Sequence, residues 1–328
     1  MGRFRFRVVP VLCTAAFATA PLHAGQTDPA GVYPSKPIRF IVPFAPGGGT
    51  DTTARALAQK LGEKWGQQVV VDNRPGASGA IGVDATAKAN PDGYTICIIS
   101  ASNAVNPAIN PNLPYDLTKD LQAVSQATSL FYVLYHHPSV PVKSVKELIA
   151  YARANPGKLN FGASGTGSLQ HFAGELFNHM AGVQIVHVPF KGSGAIVPAM
   201  LANEIQVAFG AMFAVRPQVQ AERLRWLAIS ASMRSPAVDL PTIAESGLPG
   251  YEVDQWYGII TSAKVPRPIV HKLSGAIAEA LKTPDVTKRL AAEGATAVGS
   301  TPEQFGAHIK SEIAKWQKLV KQADLKLQ

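Results

Sequence analysis

The sequence predicts an α/β protein of two domains, each built on a mostly parallel sheet with helices on both faces. Three observations carry this reading. Short β-branched or apolar runs alternate with Ala-, Leu-, Lys- and Glu-rich runs of helical spacing along 328 residues. That length is about twice an ordinary domain, and a chain of this size buries roughly three-quarters of its unfolded surface, so two cores can form without cross-links. Two strands each run into a glycine-rich loop and then straight into a helix, once in each half of the chain.

Taken in order, residues 1–24 read as a secretory signal. Arg3, Arg5 and Arg7 precede an apolar run from Val8 to Ala18, too short to span a bilayer, and Pro21-Leu22-His23-Ala24 offers a cut after Ala24. The mature chain is therefore expected outside the cytoplasm. Residues 25–35 are turn-rich and read as a flexible leader. Strands are expected at Ile38–Pro43, Gln68–Val71, Tyr94–Ser100, Leu159–Ala163, Ile185–Val188, Gln206–Phe209, Trp226–Ala231 and Tyr257–Ser262, with Gln122–Tyr135 strand in part. Helices are expected at Thr52–Trp65, Ala80–Ala89, Val145–Ala154, Leu169–Ala181, Gly194–Ala202, Ile269–Lys282 and Pro302–Ala323. The last begins with a capping hydroxyl at Thr301, Pro302 in its first turn and Gln304 three residues on.

Composition excludes several classes. The chain has 31 Lys+Arg against 22 Asp+Glu, a net charge of +9, which falls to +6 once the three signal arginines are removed. No basic run is interleaved with aromatics, so no nucleic-acid partner is expected. Two cysteines, Cys13 in the signal and Cys97 in an apolar strand, build neither a disulfide framework nor a thiolate metal site. No cofactor and no metal are expected, and Cys97 reads as a small core residue.

The two glycine loops are the chemical signal. The first is Pro43-Phe44-Ala45-Pro46-Gly47-Gly48-Gly49-Thr50-Asp51; the second is Ser164-Gly165-Thr166-Gly167-Ser168, followed by His171. A strand–loop–helix unit of this kind aims bare N–H groups and the positive helix end at one spot, which suits an anion. Thr50 or Asp51 is placed to cap the first helix. Neither loop has the lysine of a Walker loop. The second lacks the last glycine of a dinucleotide fingerprint, where Gln170 stands, and Gly162-Ala163-Ser164-Gly165-Thr166 lacks the last glycine of an esterase elbow. An exported hydrolase using Ser164 or Ser168 with His171 remains the alternative, without a carboxylate in either loop at the spacing such a base needs. His171, in the first turn of its helix, either touches a bound anion or packs there. The other histidines lack partners at ligand spacing.

The stretch 43–51 resembles the first ligand loop of the Bug (TctC-like) extracytoplasmic solute receptors, which serve tripartite tricarboxylate transporters. The resemblance extends in one register through Asp72-Asn73-Arg74-Pro75-Gly76-Ala77-Ser78-Gly79, Pro91-Asp92-Gly93-Tyr94-Thr95 and Leu113-Pro114-Tyr115-Asp116. It continues through Gly162 to Ser168 with His171, Ala173 to Phe177, His187 to Gly192, Pro241 to Glu245 and Trp256-Tyr257-Gly258. It implies a type II periplasmic-binding-protein fold: two α/β domains joined by a two-strand hinge. Domain 1 would comprise 36–125 and 253–328 and domain 2 126–252, with crossings near 124–126 and 250–255.

The resemblance further implies a non-enzymatic, monomeric receptor that captures a small carboxylate in the cleft and delivers it to membrane permease subunits; a receptor feeding a membrane sensor is the variant reading. Phe44 to Asp51, Ser102, Asn103, Ser164 to Ser168 and His171 would line the cleft, with Trp256 near the second crossing. Many relatives carry an Asp after the Phe of the strand reading Val207-Ala208-Phe209, and in members that bind amino acids it faces a ligand ammonium. Here Gly210 stands there, followed by Ala211, Met212 and Phe213. The expected ligand lacks an amino group; Met212 and Phe213 either touch its apolar body or pack beneath the cleft.

Overall fold

The computed structural model describes residues 1–2, 31–292 and 294–322. Residues 3–24 of the expected signal and most of the leader lie outside these residues. Within the leader, Tyr33 is buried: its hydroxyl donates to Gly93 O at 2.8 Å and its ring lies 4.9 Å from that of Tyr94.

The first lobe opens with β1 (Ile38–Val42), α1 (Gly49–Trp65), β2 (Val69–Asn73), α2 (Ala80–Ala87), β3 (Thr95–Ser100) and α3 (Ala101–Ile109). Then β4 (Leu121–His136) leads into the second lobe: α4 (Val145–Ala154), β5 (Asn160–Ala163), α5 (Leu169–Ala181), β6 (Val186–Pro189), α6 (Ile196–Leu201), β7 (Val207–Ala211), α7 (Met212–Gln220) and β8 (Arg225–Ile229). The chain returns through β9 (Asp254–Ser262) and finishes the first lobe with α8 (Arg267–Leu281), α9 (Pro284–Ala292), β10 (Ala295–Ala297) and α10 (Pro302–Gln322).

The strands join in the order β2-β1-β3-β9-β4-β7-β5-β6, with β8 and β10 also on β4. β1 is parallel to β2 and β3, and β5 is parallel to β6 and β7, as buried βαβ units require. The expected partial strand at 122–135 is one strand of sixteen residues. Its first part, Leu121–Phe131, pairs with β9 in the first lobe; its second, Tyr132–His136, pairs with β7 and β8 in the second. The change of partner thus falls at Phe131–Tyr132, later along the strand than the crossing expected at 124–126. Apolar side chains occupy both faces of the second part of β4, where Val133, Leu134 and Tyr135 are all buried.

Four elements were not expected from the sequence: α3, α7, α9 and β10. Pro107 and Pro217 lie inside α3 and α7, where a proline ordinarily argues against a helix. β10 has only three residues. The 194–202 helix is shorter than expected, because residues 193–195 form a 3-10 turn before α6.

Helix α10 fastens the lobes at their back. Its buried stripe of Phe305, Ile309 and Trp316 repeats at helical spacing, and each large side chain contributes about 2–3 kcal/mol by leaving water. The Trp316 ring lies 5.5 Å from that of Phe172 on α5, so the stripe reaches from the first lobe to the second. Cys97 is buried in β3 and unpaired, and burial pushes its thiol up to about 12. No helix among the described residues is long and apolar enough to cross a membrane.

The packing of α10 on β9 gives a paired test. A Cβ at Gly258 would overlap the Phe305 ring, whereas nothing surrounds the exposed Gly275 on α8. In chemical denaturation, Gly258→Ala is expected to lose about 1–3 kcal/mol through overpacking. Gly275→Ala is expected to gain roughly 0.5–1 kcal/mol from helix propensity.

Candidate functional site

The parallel strands of both lobes end at the junction between the lobes, and the helices that follow them start there. α1 begins after Gly48, whose extended backbone forms its N-cap with no side-chain cap. Gly47 takes a positive φ of 87°, which glycine adopts without strain. Thr50 and Asp51 do not cap the helix as expected. Asp51 occupies the third helical position and reaches back: its Oδ2 accepts from Gly47 N–H at 3.0 Å and Arg55 Nε at 2.9 Å, and its Oδ1 from Asn73 Nδ2 at 2.9 Å. Asn73 Nδ2 also donates to Phe44 O at 3.1 Å. Burial alone would raise the Asp51 carboxyl, but the hydrogen bonds from Arg55, Gly47 and Asn73 outweigh it and hold the group below its usual range. Asp51 is therefore the brace of the loop, and Thr50 beside it is buried.

Ser102 and Asn103, named as site residues without a helix to hold them, lie in the first turn of α3. Asn103 Oδ1 accepts from Ser100 N–H at 3.0 Å, closing the helix start. Ser102 Oγ accepts from Leu169 N–H of α5 at 3.2 Å, across the lobes. A second interlobe bond runs from Ser78 Oγ to Thr166 O at 3.2 Å. Phe44, Gly79 and Asn103 meet: a Cβ built at Gly79 would lie 3.2 Å from the Phe44 ring and 2.7 Å from Asn103 Nδ2. Loop 43–49, the turn at 77–79, the start of α3 and loop 164–168 thus form one contiguous cluster.

The second loop is also braced from within. Ser164 N–H donates to Gln170 Oε1 at 3.1 Å, and Gln170 Nε2 donates to Phe209 O at 2.8 Å. Gly167 N–H donates to His171 Nδ1 at 3.1 Å, and His171 N–H donates to Ser168 Oγ at 3.3 Å. His171 Nε2 faces Glu175 at 3.8 Å, and its ring stacks on His187 with centroids 3.7 Å apart. Nδ1 accepts from Gly167 N–H rather than from a serine hydroxyl, and Nε2 points to the Glu175 carboxylate. α5 supplies a carboxylate, Glu175, on the ring nitrogen opposite the one that faces the loop. His171 packs on His187 and braces the loop through Gly167 N–H.

Of the remaining candidates, Trp256 departs from expectation. Trp256 is 1% exposed and turned to α10, with Phe305 at 5.5 Å and Glu312 Oε2 accepting from its indole N–H at 3.4 Å; it lines no cleft. Met212 is buried too, with Arg216 Nη2 at 3.0 Å from its sulfur and Gly294 of the first lobe beside its methyl; it packs beneath the cleft. Phe213 is 38% exposed. At Gly210 an added Cβ would lie 3.2 Å from the Tyr135 hydroxyl and ring, so Tyr135 closes the space above it.

Sequence reasoning missed Ser78, Tyr132, Gln255 and Tyr257. Neighbours on a strand point to opposite faces, so once Trp256 is committed to α10, Gln255 and Tyr257 must face the other way. Gln255 Oε1 accepts from Ala101 N–H, the first of α3, at 3.3 Å, and its Nε2 donates to Tyr132 Oη at 3.1 Å. The Tyr257 hydroxyl sits against Gly49, so close that any side chain there would displace it. Two depressions of about 310 and 540 Å³ flank α10, and neither includes a residue of the glycine loops. No group of three or more metal-ligating side chains occurs among the described residues.

The His171 brace has a pH signature. Burial first, then the neighbouring His187, lowers its pKa from 6.5 to about 4. Unfolded histidine takes up its proton near pH 6.5, so the stability from neutral His171 is complete above that value and is lost as pH falls towards 4. His171→Gln keeps an acceptor for Gly167 but cannot titrate. Denaturation at pH 7 and pH 4 is expected to show the wild type losing up to roughly 3 kcal/mol more than the variant.

Comparison with known proteins bears on this geometry. A sequence profile described as the tripartite tricarboxylate transporter family receptor matches residues 53–325. BugT of Bordetella pertussis is 38% identical over 325 residues, covering 98% of this chain and 97% of BugT. Among solved structures, R. palustris Rpa4515 with adipate shares 36% identity at a TM-score of 0.83, covering 89% of this chain and 98% of that one. MatC from Rhodopseudomonas palustris with bound malate shares 31% at 0.79, covering 88% and 100%. The two-lobed architecture is that of the periplasmic binding proteins, and this chain belongs to the tripartite tricarboxylate transporter receptor family.

Proposed function

We propose that this protein is an exported receptor that captures a small organic carboxylate between its lobes and delivers it to the membrane subunits of a tripartite tricarboxylate-type transporter. The observation that carries the reading is the meeting of the starts of α1, α3 and α5, with Asp51, the one acidic side chain of the two loops, spent on Gly47, Arg55 and Asn73. Helix starts favour negative charge by about 0.3–1 kcal/mol each when exposed and up to about 2 when partly buried. A hydrogen bond to a charged group adds about 1.5–3 kcal/mol. Three or four such contacts reach the roughly 8 kcal/mol of micromolar binding without an ion pair. An Arg–carboxylate pair would carry a desolvation cost of several kcal/mol per ion and would part slowly, which suits a delivery protein poorly.

The bound adipate and malate of two relatives support a dicarboxylate or hydroxy acid as ligand class. Gly210 offers no carboxylate to an ammonium, and Tyr135 lies against it, so the ligand is one without an amino group.

Gly48→Asp tests the pocket. Gly48 has a φ of −83°, and an added Cβ meets nothing nearer than Ala45 O at 4.0 Å. Aspartate is also a good N-cap, so stability is expected to hold or to rise by about 1 kcal/mol. Calorimetric titration with adipate, malate, citrate, aspartate and glutamate is expected to show micromolar binding of at least one of the first three to the wild type, weakened at least a hundredfold in the variant. Tight binding of an amino acid alone would refute the ligand class, and unchanged affinity in Gly48→Asp would refute the pocket.

A further inference from the structure

Tyr132 stands where β4 changes lobes, and its main chain and side chain are held by different neighbours. The main chain belongs to the second lobe. It pairs with Ala211 of β7, its N–H donates to Ser230 Oγ at 2.9 Å, and its O accepts from Ser230 N–H at 2.8 Å. Ser230 Oγ donates onward to Val253 O, on the returning segment, at 2.5 Å. The side chain reaches the other way, to Gln255 of β9, a strand that pairs with the first part of β4.

The direction of that contact is fixed. Gln255 Oε1 accepts two main-chain N–H groups, from Ala101 at 3.3 Å and Trp256 at 3.1 Å, so the amide nitrogen is the end turned to Tyr132. Nε2 donates to Tyr132 Oη at 3.1 Å. An amide nitrogen offers no lone pair, so the phenol accepts from Gln255 and its own proton points elsewhere. Among the described residues none accepts that proton, although Tyr132 is only 7% exposed. Burial, then the neighbouring Tyr257, holds the hydroxyl well above its usual pKa, so the proton stays on the oxygen.

The surroundings of the hydroxyl are the junction itself. Gln255 ties it to the start of α3, where Ser102 Oγ takes the Leu169 N–H of α5. Tyr257, on the same face of β9 as Gln255, sets its hydroxyl against Gly49 at the start of α1. A donor without an acceptor thus stands among the three helix starts. Buried donors left without a partner are costly and rare in native proteins. A ligand oxygen is what would satisfy this one.

We propose that Tyr132 is a ligand-binding residue on the floor of the cleft: paired with Gln255, it donates its hydroxyl proton to an oxygen of the bound acid. The inference rests on the receptor reading and adds a side-chain donor that neither glycine loop supplies. With Gln255 on its acceptor side, the phenol has only a proton to offer, which favours a carboxylate or hydroxyl oxygen over an ammonium at that spot.

Calorimetric titration of adipate, malate and citrate into the wild type and Tyr132→Phe tests it. An acid bound by the wild type is expected to bind roughly ten- to a hundredfold more weakly to the variant, the loss of one hydrogen bond to a charged group. A phenol with a merely structural role would lower the denaturation midpoint and leave affinity unchanged. Fluorotyrosine incorporated at Tyr132 keeps the ring and the hydroxyl, and its fluorine resonance is expected to shift in step with binding. Gln255→Met removes the orienting amide, and its loss of affinity is expected to overlap with that of Tyr132→Phe in the double variant rather than multiply. Unchanged affinity in Tyr132→Phe, a fluorine resonance that stays still, or losses that multiply would overturn the inference while the receptor reading stands. A wild type that binds none of the three acids would overturn that reading and this inference with it.

Discussion

Where the Asp51 carboxylate goes decides what the junction can bind. It sits in the first turn of α1, at the positive end of the helix dipole, and left free it would compete with any ligand anion for that pole. Three donors hold it instead, and Arg55 beside it cancels its charge. The same carboxylate shapes the loop, because the bond from Gly47 N–H fixes the turn that exposes Ala45 to Gly47. The brace and the vacated pole are one arrangement: loosening Asp51 both softens the loop and fills the pole.

The second loop solves the same problem with neutral groups. Gln170 and His171 hold Ser164 and Gly167 from below, and neither brings charge to the cleft; His171 is kept neutral by its own burial and by the stack on His187. Each lobe thus presents preorganised dipoles whose ordering cost is met within the lobe, leaving less entropy to lose on binding. β4 supplies the rest of the preorganisation. As one strand shared by both sheets, it ties the two loop clusters to a single stretch of backbone.

Much of this was legible in the residues. The alternation of periods along the chain located most strands and the long helices, and the strand–glycine–helix order located both loops. The family resemblance supplied what periodicity cannot, the pairing of distant segments across the lobes. What stayed hidden has physical causes. α3 contains Pro107, yet its first turn is secured by Asn103 and Gln255, so tertiary contacts override the local signal and give Ser102 its position. Trp256 was singled out by its position near a crossing, but it turns to α10, and strand alternation sends Gln255 and Tyr257 to the opposite face. Ser78 lay in a third strand–glycine–helix turn, with the same grammar as the other two, and its interlobe bond needed the fold to be seen.

The central claim is that main-chain donors of both lobes hold the carboxylate together. Backbone amide shifts followed by NMR during titration with adipate and malate address it most directly. The account predicts large, saturating shifts at Gly48, Gly49 and Thr50 and at Gly165 and Thr166, reporting one affinity for both groups. Shifts confined to one lobe, or centred on the depressions beside α10, would contradict it.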